Sequence, residues 1–332
     1  MTQLRLDPLT GRWVVVGTNR SGRRHAFRPP LPVDADPDRP CPFCPGHEEE
    51  TPPALVTYGP SGSWLVRVVP NRYPAFERPA PMAVSHLGPV FTQARASGIH
   101  EVLVFSPEHN ASWPDLDDTQ VDLVMAAIRD RVLEHSGKAG LRYSQVIVNW
   151  GRDAGASLEH PHGQLLGMPF VPRELADEQA GFARFETSCL LCTTVGSEKA
   201  HGHRVVHADD EVFVFCPFWS GSPYEMLVVP TNHGSHLHRA PDADLMAVGR
   251  ALRTALTLLR RHLGEVAYNL VFHAAPYRAA GLFHWHVHLV PKLTTPAGFE
   301  LGTGVLVNVV APEAAAEDLR NARAAEVVGP SE

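Results

Sequence analysis

Residues 157–167, SLEHPHGQLLG, place two histidines one residue apart at the start of an apolar run. Side chains at positions i and i+2 of a β-strand point to the same face, so His160 and His162 are expected to lie side by side. A second histidine cluster, FHWHVHLVPK, occupies residues 283–292. Because the two clusters close two similar units of the chain, they decide the fold.

Each histidine cluster is preceded by the same series of predicted elements. A β-rich run that ends in a proline and a histidine comes first, and a long amphipathic helix and a second β-run follow. Each helix pattern stops at a glycine, a residue common just past a helix end. The two series are EVLVFSPEH (101–109), a helix within 115–137 and YSQVIVNWG (143–151), then EMLVVPTNH (225–233), a helix within 241–264 and YNLVFHAAP (268–276).

The spacing of the histidines also matches between the two series. His109 and His160 are 51 positions apart, and so are His233 and His284. A C-x-x-C pair precedes each series. Coincidence does not explain this number of matches in the same order, so the sequence predicts a tandem duplication of a strand–helix–strand unit.

The composition is typical of a globular protein. Of the 332 residues 44% are hydrophobic and 20% are charged, and this length suits one large domain or two ordinary ones. A net charge of −7 argues against a nucleic-acid partner. No apolar run suits a secretory signal or a membrane span, so we expect a cytoplasmic protein without membrane contact. In a reducing compartment its five cysteines are expected to be thiols or metal ligands.

The two C-x-x-C pairs are candidate zinc ligands. Two thiolates on a short turn form half of a tetrahedral zinc site, and the duplication nominates histidines for the other half. The alternative is that both pairs are buried thiols; Cys216 has no such partner and is expected in the core. The predicted zinc ligands are Cys41, Cys44, His109 and His160 in the first half, and Cys189, Cys192, His233 and His284 in the second.

A zinc-bound His160 would leave His162 free to present an imidazole nitrogen to a pocket. Neutral imidazole is a good nucleophile, and attack on phosphorus would form a covalent phosphoramidate. Gln164 can donate a hydrogen bond to a phosphate oxygen, and Ser157 and the backbone of its glycine-containing loop can do the same. The alternative is that His162 is one more metal ligand or a packed surface histidine.

The motif GASLEHPHGQ (155–164) resembles the active-site signature of galactose-1-phosphate uridylyltransferases, a branch of the histidine-triad superfamily. The resemblance runs along nearly the whole chain and includes LDPLTGRWVVV, CPFCPG, VVPNRYPAF and GFELGTG. The related ADP-glucose phosphorylases also carry two C-x-x-C zinc sites. This resemblance implies an α+β fold in which two histidine-triad-like units, at 1–172 and 173–332, each contribute an antiparallel sheet and one long helix to a larger sheet.

The resemblance also implies roles for individual residues. His162 would be the covalent nucleophile, and Gln164 would orient the phosphate. A sugar 1-phosphate leaves as a stable anion and needs little help from a general acid, which suits a glutamine at that position. The other implied contacts are phosphate for Ser157 and Asn149, the nucleotide pocket for Arg24 and Asn71, and sugar hydroxyls for Glu300.

The second half contains two separate sets of candidate metal ligands. Some uridylyltransferases have an iron-type site, and its pattern falls here on Glu178, His273, His286 and His288. The two-zinc relatives keep the site that includes Cys189 but lose the glutamate and the later histidines of the iron-type site. This chain keeps both sets. We predict two structural zinc ions per chain, with an iron-type site at the Glu178 set as a further candidate.

The resemblance implies a ping-pong transferase that takes a uridylyl group from UDP-glucose and passes it to galactose 1-phosphate, in a homodimer. One alternative is a phosphorylase that acts on an ADP-sugar or a dinucleoside polyphosphate through the same histidine. Another is a histidine-triad hydrolase that works through His286, although that cluster follows AAGLF and lacks a serine-containing, glycine-rich loop. A third is a zinc-stiffened nucleotide-binding protein without turnover.

Overall fold

The computed structural model describes residues 2–17, 40–186 and 188–324. Within these ranges the chain alternates short strands with helices. The strands are β1 (Thr2–Leu6), β2 (Trp13–Gly17), β3 (Val56–Tyr58), β4 (Val66–Pro70), β5 (Val84–Leu87), β6 (Phe91–Ala94), β7 (Ile99–Val104), β8 (Tyr143–Trp150), β9 (His162–Met168), β10 (Val205–Ala208), β11 (Val212–Phe215), β12 (Met226–Pro230), β13 (Tyr268–His273), β14 (His286–Pro291) and β15 (Leu306–Asn308). The helices are α1 (Asp118–Ser136), α2 (Arg173–Arg184), α3 (Leu190–His201), α4 (Asp242–Leu263), α5 (Gly298–Thr303) and α6 (Pro312–Ala324).

Ten strands form one continuous antiparallel sheet in the order β10-β11-β12-β14-β13-β8-β9-β7-β4-β3. From the junction of β8 and β13, one side runs through β8, β9, β7, β4 and β3, and the other runs through β13, β14, β12, β11 and β10. Each side therefore has the same order along the chain, with α1 or α4 between its third and fourth strands. This arrangement confirms the α+β fold, the tandem halves and the shared sheet.

The two long helices begin and end where their caps predict. The carboxylate of Asp117 accepts the N–H of Gln120 at the start of α1, and the helix stops before Gly137. Helix α4 stops before Gly264, whose φ of 80° is favourable only without a side chain. The periodicity that predicted both helices therefore corresponds to real helix ends.

Helices α1 and α4 pack together on one face of the sheet. At their crossing, an added Cβ on Gly249 would lie only 2.6 Å from the Cγ of Met125, so the helices approach closely because residue 249 has no side chain. The indole N–H of Trp113 donates to the carbonyl of Gly249 at 3.1 Å. Val121, Met125 and Leu252 are fully buried in this layer, which removes a large apolar area from water.

The opposite face of the sheet differs between the halves. In the second half, α2 and α3 cover that face through an apolar cluster that includes Phe182 and Phe213. In the first half, a smaller cluster that includes Phe43, Val102 and Val104 lies on that face. Helix α2 begins directly after the predicted boundary at residue 172, so the two halves differ in the elements that cover this face of the sheet.

Strands β1, β2 and β15 form a separate three-stranded sheet in which β15 runs parallel to β2. Arg5 on β1 pairs with Glu313 of α6 at 3.0 Å, and Arg204 pairs with the same carboxylate at 2.8 Å. These ion pairs connect the three-stranded sheet to the second half.

The two halves share a continuous structure. Strand β8 pairs with β13 along five residues, and one hydrophobic cluster extends under both helices. The predicted boundary after residue 172 falls between β9 and α2 and stays a prediction. Within the described residues, no helix combines the length and hydropathy that a membrane span needs.

Candidate active site and metal centres

The four predicted ligands of the first zinc site come together. One ligand atom from each of Cys41, Cys44, His109 and His160 lies within 4.8 Å of the others. The Sγ of Cys44 is 3.3 Å from the Nδ1 of His109 and 3.6 Å from the Nδ1 of His160. The Nε2–H of His160 donates to the carbonyl of Ser106 at 2.8 Å, which leaves Nδ1 available for a metal. Two thiolates and two imidazoles are a usual donor set for structural zinc.

The second predicted set repeats this arrangement. Cys189, Cys192, His233 and His284 also bring their ligand atoms within 4.8 Å. The Sγ of Cys192 is 3.6 Å from the Nδ1 of His233 and 3.4 Å from the Nδ1 of His284. The Nε2–H of His284 donates to the carbonyl of Pro230 at 3.0 Å. The duplication therefore extends to the backbone group that orients the metal-facing histidine.

The protonation of both sets suits a divalent cation. Burial lowers the pKa of His160 and of His284 to about 4, so both imidazoles are neutral at pH 7. Burial and the neighbouring Cys41 raise the pKa of the Cys44 thiol to about 11. A bound Zn²⁺ reverses that shift because it binds the thiolate, which couples metal binding to folding. The residues present therefore fit zinc.

The iron-type residues assemble as a third cluster. Glu178, His273, His286 and His288 place their ligand atoms within 4.8 Å of one another. The Nδ1 of His273 is 2.8 Å from Glu178 Oε1, while Glu178 Oε2 is buried without a hydrogen-bond partner, as a metal-binding oxygen would be. We predicted the second zinc set and kept this iron-type set as a candidate neighbouring site. The second half holds both.

His162, at the start of β9, has one ring nitrogen engaged and the other available. Its Nδ1–H donates to the carbonyl of His160 at 2.8 Å, so Nε2 is the unprotonated nitrogen of the neutral ring. Burial lowers the pKa of His162 and so favours that neutral ring. His162 is not a member of the first metal cluster. Its geometry suits a nucleophile.

A cavity of about 630 Å³ opens over His162. This volume suits a nucleotide-sized ligand. Apolar residues of the small first-half cluster line part of the cavity, and polar side chains line the rest. Lining residues include the predicted Asn71, Ser157, His162 and Gln164, together with Phe43, Val69, Val102 and Leu158.

Gly163 explains how two neighbouring side chains can point into the cavity. An added Cβ at this position would lie 2.6 Å from the Cζ of Phe105 and 3.0 Å from the carbonyl oxygen of Ile147. Residue 163 therefore faces the tightly packed side of the sheet, while His162 and Gln164 lie towards the ligand side. The glycine in HPHGQ is required by packing and not by a turn.

Two other predicted contacts lie outside the cavity, and a third falls outside the described residues. The Oδ1 of Asn149 accepts from the amide of Asn269 at 2.7 Å, where β8 meets β13. The carboxylate of Glu300 accepts the N–H of Ala297 at 2.9 Å, at the start of α5. Neither residue is in the described cavity lining, and their contacts with phosphate and sugar stay predictions. Arg24 lies outside the described residues.

His100 on β7 was not among the predicted site residues. Its Nε2 lies 2.9 Å from the Oε1 of Gln164, and the side chain is buried. Val102 pairs with Gln164 across the strands, and His100 is two residues before Val102, so all three share a face. The alternation of side-chain directions along β7 could be predicted from the sequence, but the register of β7 against β9 could not.

In the second half, His286 corresponds to His162 but has different surroundings. Its Nδ1–H also donates to the carbonyl two residues earlier, that of His284, at 2.8 Å. Its Nε2 lies 3.0 Å from His288 and 3.8 Å from Glu178, and the residue has 0% exposure. An imidazole enclosed in this way cannot reach a nucleotide, so the geometry favours His162 over His286 as the nucleophile.

The fold and the site define a duplicated histidine-triad protein in which, among the described residues, His162 lines a cavity and its counterpart His286 is enclosed. Residues 1–172 match the family model described as galactose-1-phosphate uridyl transferase, N-terminal domain, and residues 117–328 match a domain of unknown function. The chain belongs to the galactose-1-phosphate uridyl transferase family.

The relatives of this chain include proteins of two activities. ADP-glucose phosphorylase of Arabidopsis thaliana is 31% identical over 330 residues, which cover 96% of this chain and 92% of that protein. Galactose-1-phosphate uridylyltransferase of Thermotoga maritima is 28% identical over 96% of this chain and 98% of that protein. The crystal structure of the Arabidopsis thaliana ADP-glucose phosphorylase with bound ADP-glucose has a TM-score of 0.83 at 28% identity and covers both chains fully. This chain is therefore an enzyme of the family, similar to members of both kinds.

Proposed function

We propose that this protein is a nucleotidyltransferase that forms a covalent bond between His162 and the α-phosphorus of a nucleoside diphosphate glucose. The observation that carries the proposal is the state of the His162 ring. Its Nδ1–H is held by a backbone carbonyl, and the ring lines a cavity large enough for a nucleotide. The lone pair on Nε2 is thereby available for attack.

The reaction divides into two balanced substitutions. In the first, the Nε2 lone pair forms a bond to the α-phosphorus, and the bond from that phosphorus to the bridging oxygen breaks. Glucose 1-phosphate leaves as an anion and needs no proton at its bridging oxygen. In the second, an oxygen of a phosphate acceptor attacks the same phosphorus and the bond to His162 breaks. Gln164 and Ser157 line the cavity where they can donate hydrogen bonds to the phosphoryl oxygens.

The first candidate donor is ADP-glucose, with inorganic phosphate as acceptor. Support comes from the likeness to ADP-glucose phosphorylase and from two cysteine–histidine clusters, the pattern implied for that branch. The second candidate pairs UDP-glucose with galactose 1-phosphate, and the family match over the first half favours it. Both use the same histidine, so the base and the acceptor are the variables to test.

The first zinc would act on the site through structure. Cys41, Cys44, His109 and His160 would fill all four positions of a tetrahedral ion and leave none for substrate. The carbonyl of His160 is also the group that holds the Nδ1–H of His162. A metal that fixes His160 would therefore fix the tautomer and the direction of the nucleophile.

Trapping of the intermediate tests the proposal. Protein incubated with ADP-glucose or UDP-glucose labelled at the α-phosphate, without acceptor, is expected to retain label after denaturation. The label should be acid-labile and base-stable, as a phosphoramidate is. His162→Ala should abolish it, whereas His86→Ala, which changes an exposed histidine of the β5–β6 hairpin, should not. Retention of label by His162→Ala would contradict the proposal.

Turnover then separates the two donors. The rate of glucose 1-phosphate release is measured with each donor paired with inorganic phosphate and with galactose 1-phosphate. Preference for ADP-glucose and phosphate supports the first candidate, and preference for UDP-glucose and galactose 1-phosphate replaces it with the second. Tight binding of both donors without release would identify a binding protein without turnover.

A further inference from the structure

We propose that His100 is a positioning residue that sets which end of the Gln164 amide faces the phosphate. The inference rests on the proposed nucleotidyl transfer through His162. His100 has no place in the cavity lining, so it acts through Gln164 and not on the substrate.

The register of the sheet places His100 beside Gln164. Val102 of β7 pairs directly with Gln164 of β9, and His100 pairs with Leu166. His100 is thus the diagonal neighbour of Gln164 on the ligand side of the sheet, within reach of a long side chain. Its exposure of 9% indicates that bulk water does not compete strongly for the ring nitrogens.

The hydrogen bonds of the ring fix its tautomer. The backbone N–H of Ala75 donates to Nδ1 of His100 at 3.0 Å, so Nδ1 carries no proton. The proton of the neutral ring is then on Nε2, which donates to the Oε1 of Gln164 at 2.9 Å. A backbone donor cannot reverse its role, so this polarity is built into the fold.

A second amide approaches the same ring nitrogen but does not determine the tautomer. The Nδ2 of Asn71 is 3.1 Å from Nε2 of His100, but the Oδ1 of Asn71 already accepts the N–H of Tyr73 at 2.8 Å. A protonated ring nitrogen cannot accept, so Asn71 Nδ2 meets it as a second donor in an unfavourable contact, and the tautomer is determined by the N–H of Ala75. The Gln164 carbonyl is the acceptor available to the ring proton.

The position of the proton on the His100 ring determines which end of the Gln164 amide faces the cavity. With its oxygen engaged by His100, the amide of Gln164 has its NH₂ group left to donate to a phosphoryl oxygen. Rotation of the amide by 180° would place two donors face to face at His100 and would turn the carbonyl oxygen towards an anion. Either contact is unfavourable, so His100 selects the orientation that stabilises the transferred phosphoryl group.

The same residue anchors the cavity wall that carries Asn71. The backbone N–H of Asn71 donates to the carbonyl of His100 at 2.9 Å, and Ala75 donates to its ring. A loss of activity on substitution could therefore come from the loop, and the experiment has to separate this effect from an effect on Gln164.

A double-mutant cycle separates the two effects. We expect Gln164→Ala to slow single-turnover labelling of His162 about 100-fold, as loss of one oriented donor does. His100→Leu should slow it about 10- to 100-fold on the same basis. The double variant should be no slower than Gln164→Ala alone, because His100 acts through the amide. His100→Gln, which can accept from Ala75 and donate to Gln164, should recover most of the rate.

The control is His238→Leu, which removes a buried histidine that packs against Tyr277 away from the cavity. It should leave the labelling rate unchanged. Losses that multiply in the His100→Leu, Gln164→Ala double variant would overturn the inference and assign His100 to the loop alone.

A second measurement does not depend on turnover. Nitrogen-15 NMR of the neutral ring, assigned by comparison with His100→Leu, should show Nε2 protonated and Nδ1 unprotonated. Protonation of Nδ1 in the neutral ring would overturn the inference even if labelling succeeds. If the ring shows the expected tautomer while wild-type protein takes no label, the proposed transfer fails and the orientation of Gln164 stands.

Discussion

The equivalent histidines His162 and His286 differ in what faces the Nε2 atom of the ring. His162 and His286 both donate Nδ1–H to the carbonyl two residues earlier, at 2.8 Å in each case. The Nε2 of His286 faces Glu178 and His288, whereas His162 lines the cavity. One local backbone geometry thus occurs in a candidate metal cluster in one half and at the proposed nucleophile in the other.

The close packing around Gly163 can be tested by adding a single methyl group at this residue. Gly163→Ala adds a Cβ that meets Phe105 and the Ile147 carbonyl, so β9 must shift. We expect a loss of about 1–3 kcal/mol in the free energy of unfolding and a lower labelling rate, because His162 and Gln164 flank this residue. Urea unfolding and single-turnover labelling measure the two effects.

Gly196→Ala is the matched control. Gly196 lies within α3, and an added Cβ there meets nothing within 4 Å. Alanine should stabilise the helix by about 0.5–1 kcal/mol without a change in labelling. Equal stability of the two alanine variants would show that Gly163 is not confined as the structure indicates.

At the scale of elements, the first zinc cluster joins the CPFC turn to the start of β9. We expect Cys41→Ser to lose about one zinc per chain, to reduce stability by several kcal/mol and to slow labelling, because metal binding is coupled to folding. Metal analysis and thermal unfolding measure the first two effects. Cys216→Ala, which changes a buried cysteine outside the three clusters, should keep the full zinc content. An unchanged melting temperature in Cys41→Ser would contradict a structural role.

A buried ion pair attaches α1 to the sheet beneath the cavity. Arg131 of α1 donates to both oxygens of Glu101 on β7, at 2.9 Å and 2.6 Å. Although burial raises the pKa of Glu101, hydrogen bonds from His135 and Arg131 lower it below 4.5 overall. Because the unfolded chain binds this proton more readily, the stabilisation is complete above about pH 4.5 and is lost as the pH falls through the lower native value.

This linkage predicts the pH dependence of a variant. Glu101→Gln should lose about 3 kcal/mol at pH 7, since it leaves Arg131 without its buried partner. The gap in stability between wild type and variant should narrow as the pH falls below about 4.5. Urea unfolding at several pH values measures it. A gap that is constant down to pH 3 would show that Glu101 is not the group responsible.

At the scale of the whole molecule, the halves share one sheet but differ in the helices α2 and α3 that cover it. Helix α2 carries Glu178 onto the histidines of β13 and β14 and, with α3, covers the ligand side of the second half. The first half lacks this cover in the described residues and has the cavity. The two halves therefore differ in whether the ligand side of the sheet is covered, and among the described residues the open side is in the first half.

The three clusters predict a metal content that the sequence left open. We expect two zinc equivalents per chain and a third metal at the Glu178 set, and metal analysis of Glu178→Gln should show loss of the third with both zinc equivalents retained. Loss of zinc in that variant would show that the clusters are not independent. The homodimer implied by the family resemblance stays a prediction, and sedimentation measures it as twice the 36.3 kDa chain mass.

Much of this architecture was predictable because the two halves repeat. Spacing alone paired Cys41 and Cys44 with His109 and His160, and helix periodicity with glycine stops located α1 and α4. The β1–β2–β15 sheet and the cover over the second half were not predicted, because they depend on contacts between distant segments. His100 was missed for the same reason. Its partner Gln164 lies 64 residues away, and only the strand register brings the two together.

The most direct measurement of the central claim is to locate the covalent bond. Protein quenched at high pH after exposure to donor without acceptor is digested, and its peptides are sequenced by mass spectrometry. We expect one nucleoside monophosphate on the ring of His162, in the peptide that contains HPHGQ. Modification of His286 or another residue, or no modification while glucose 1-phosphate is released, would contradict it.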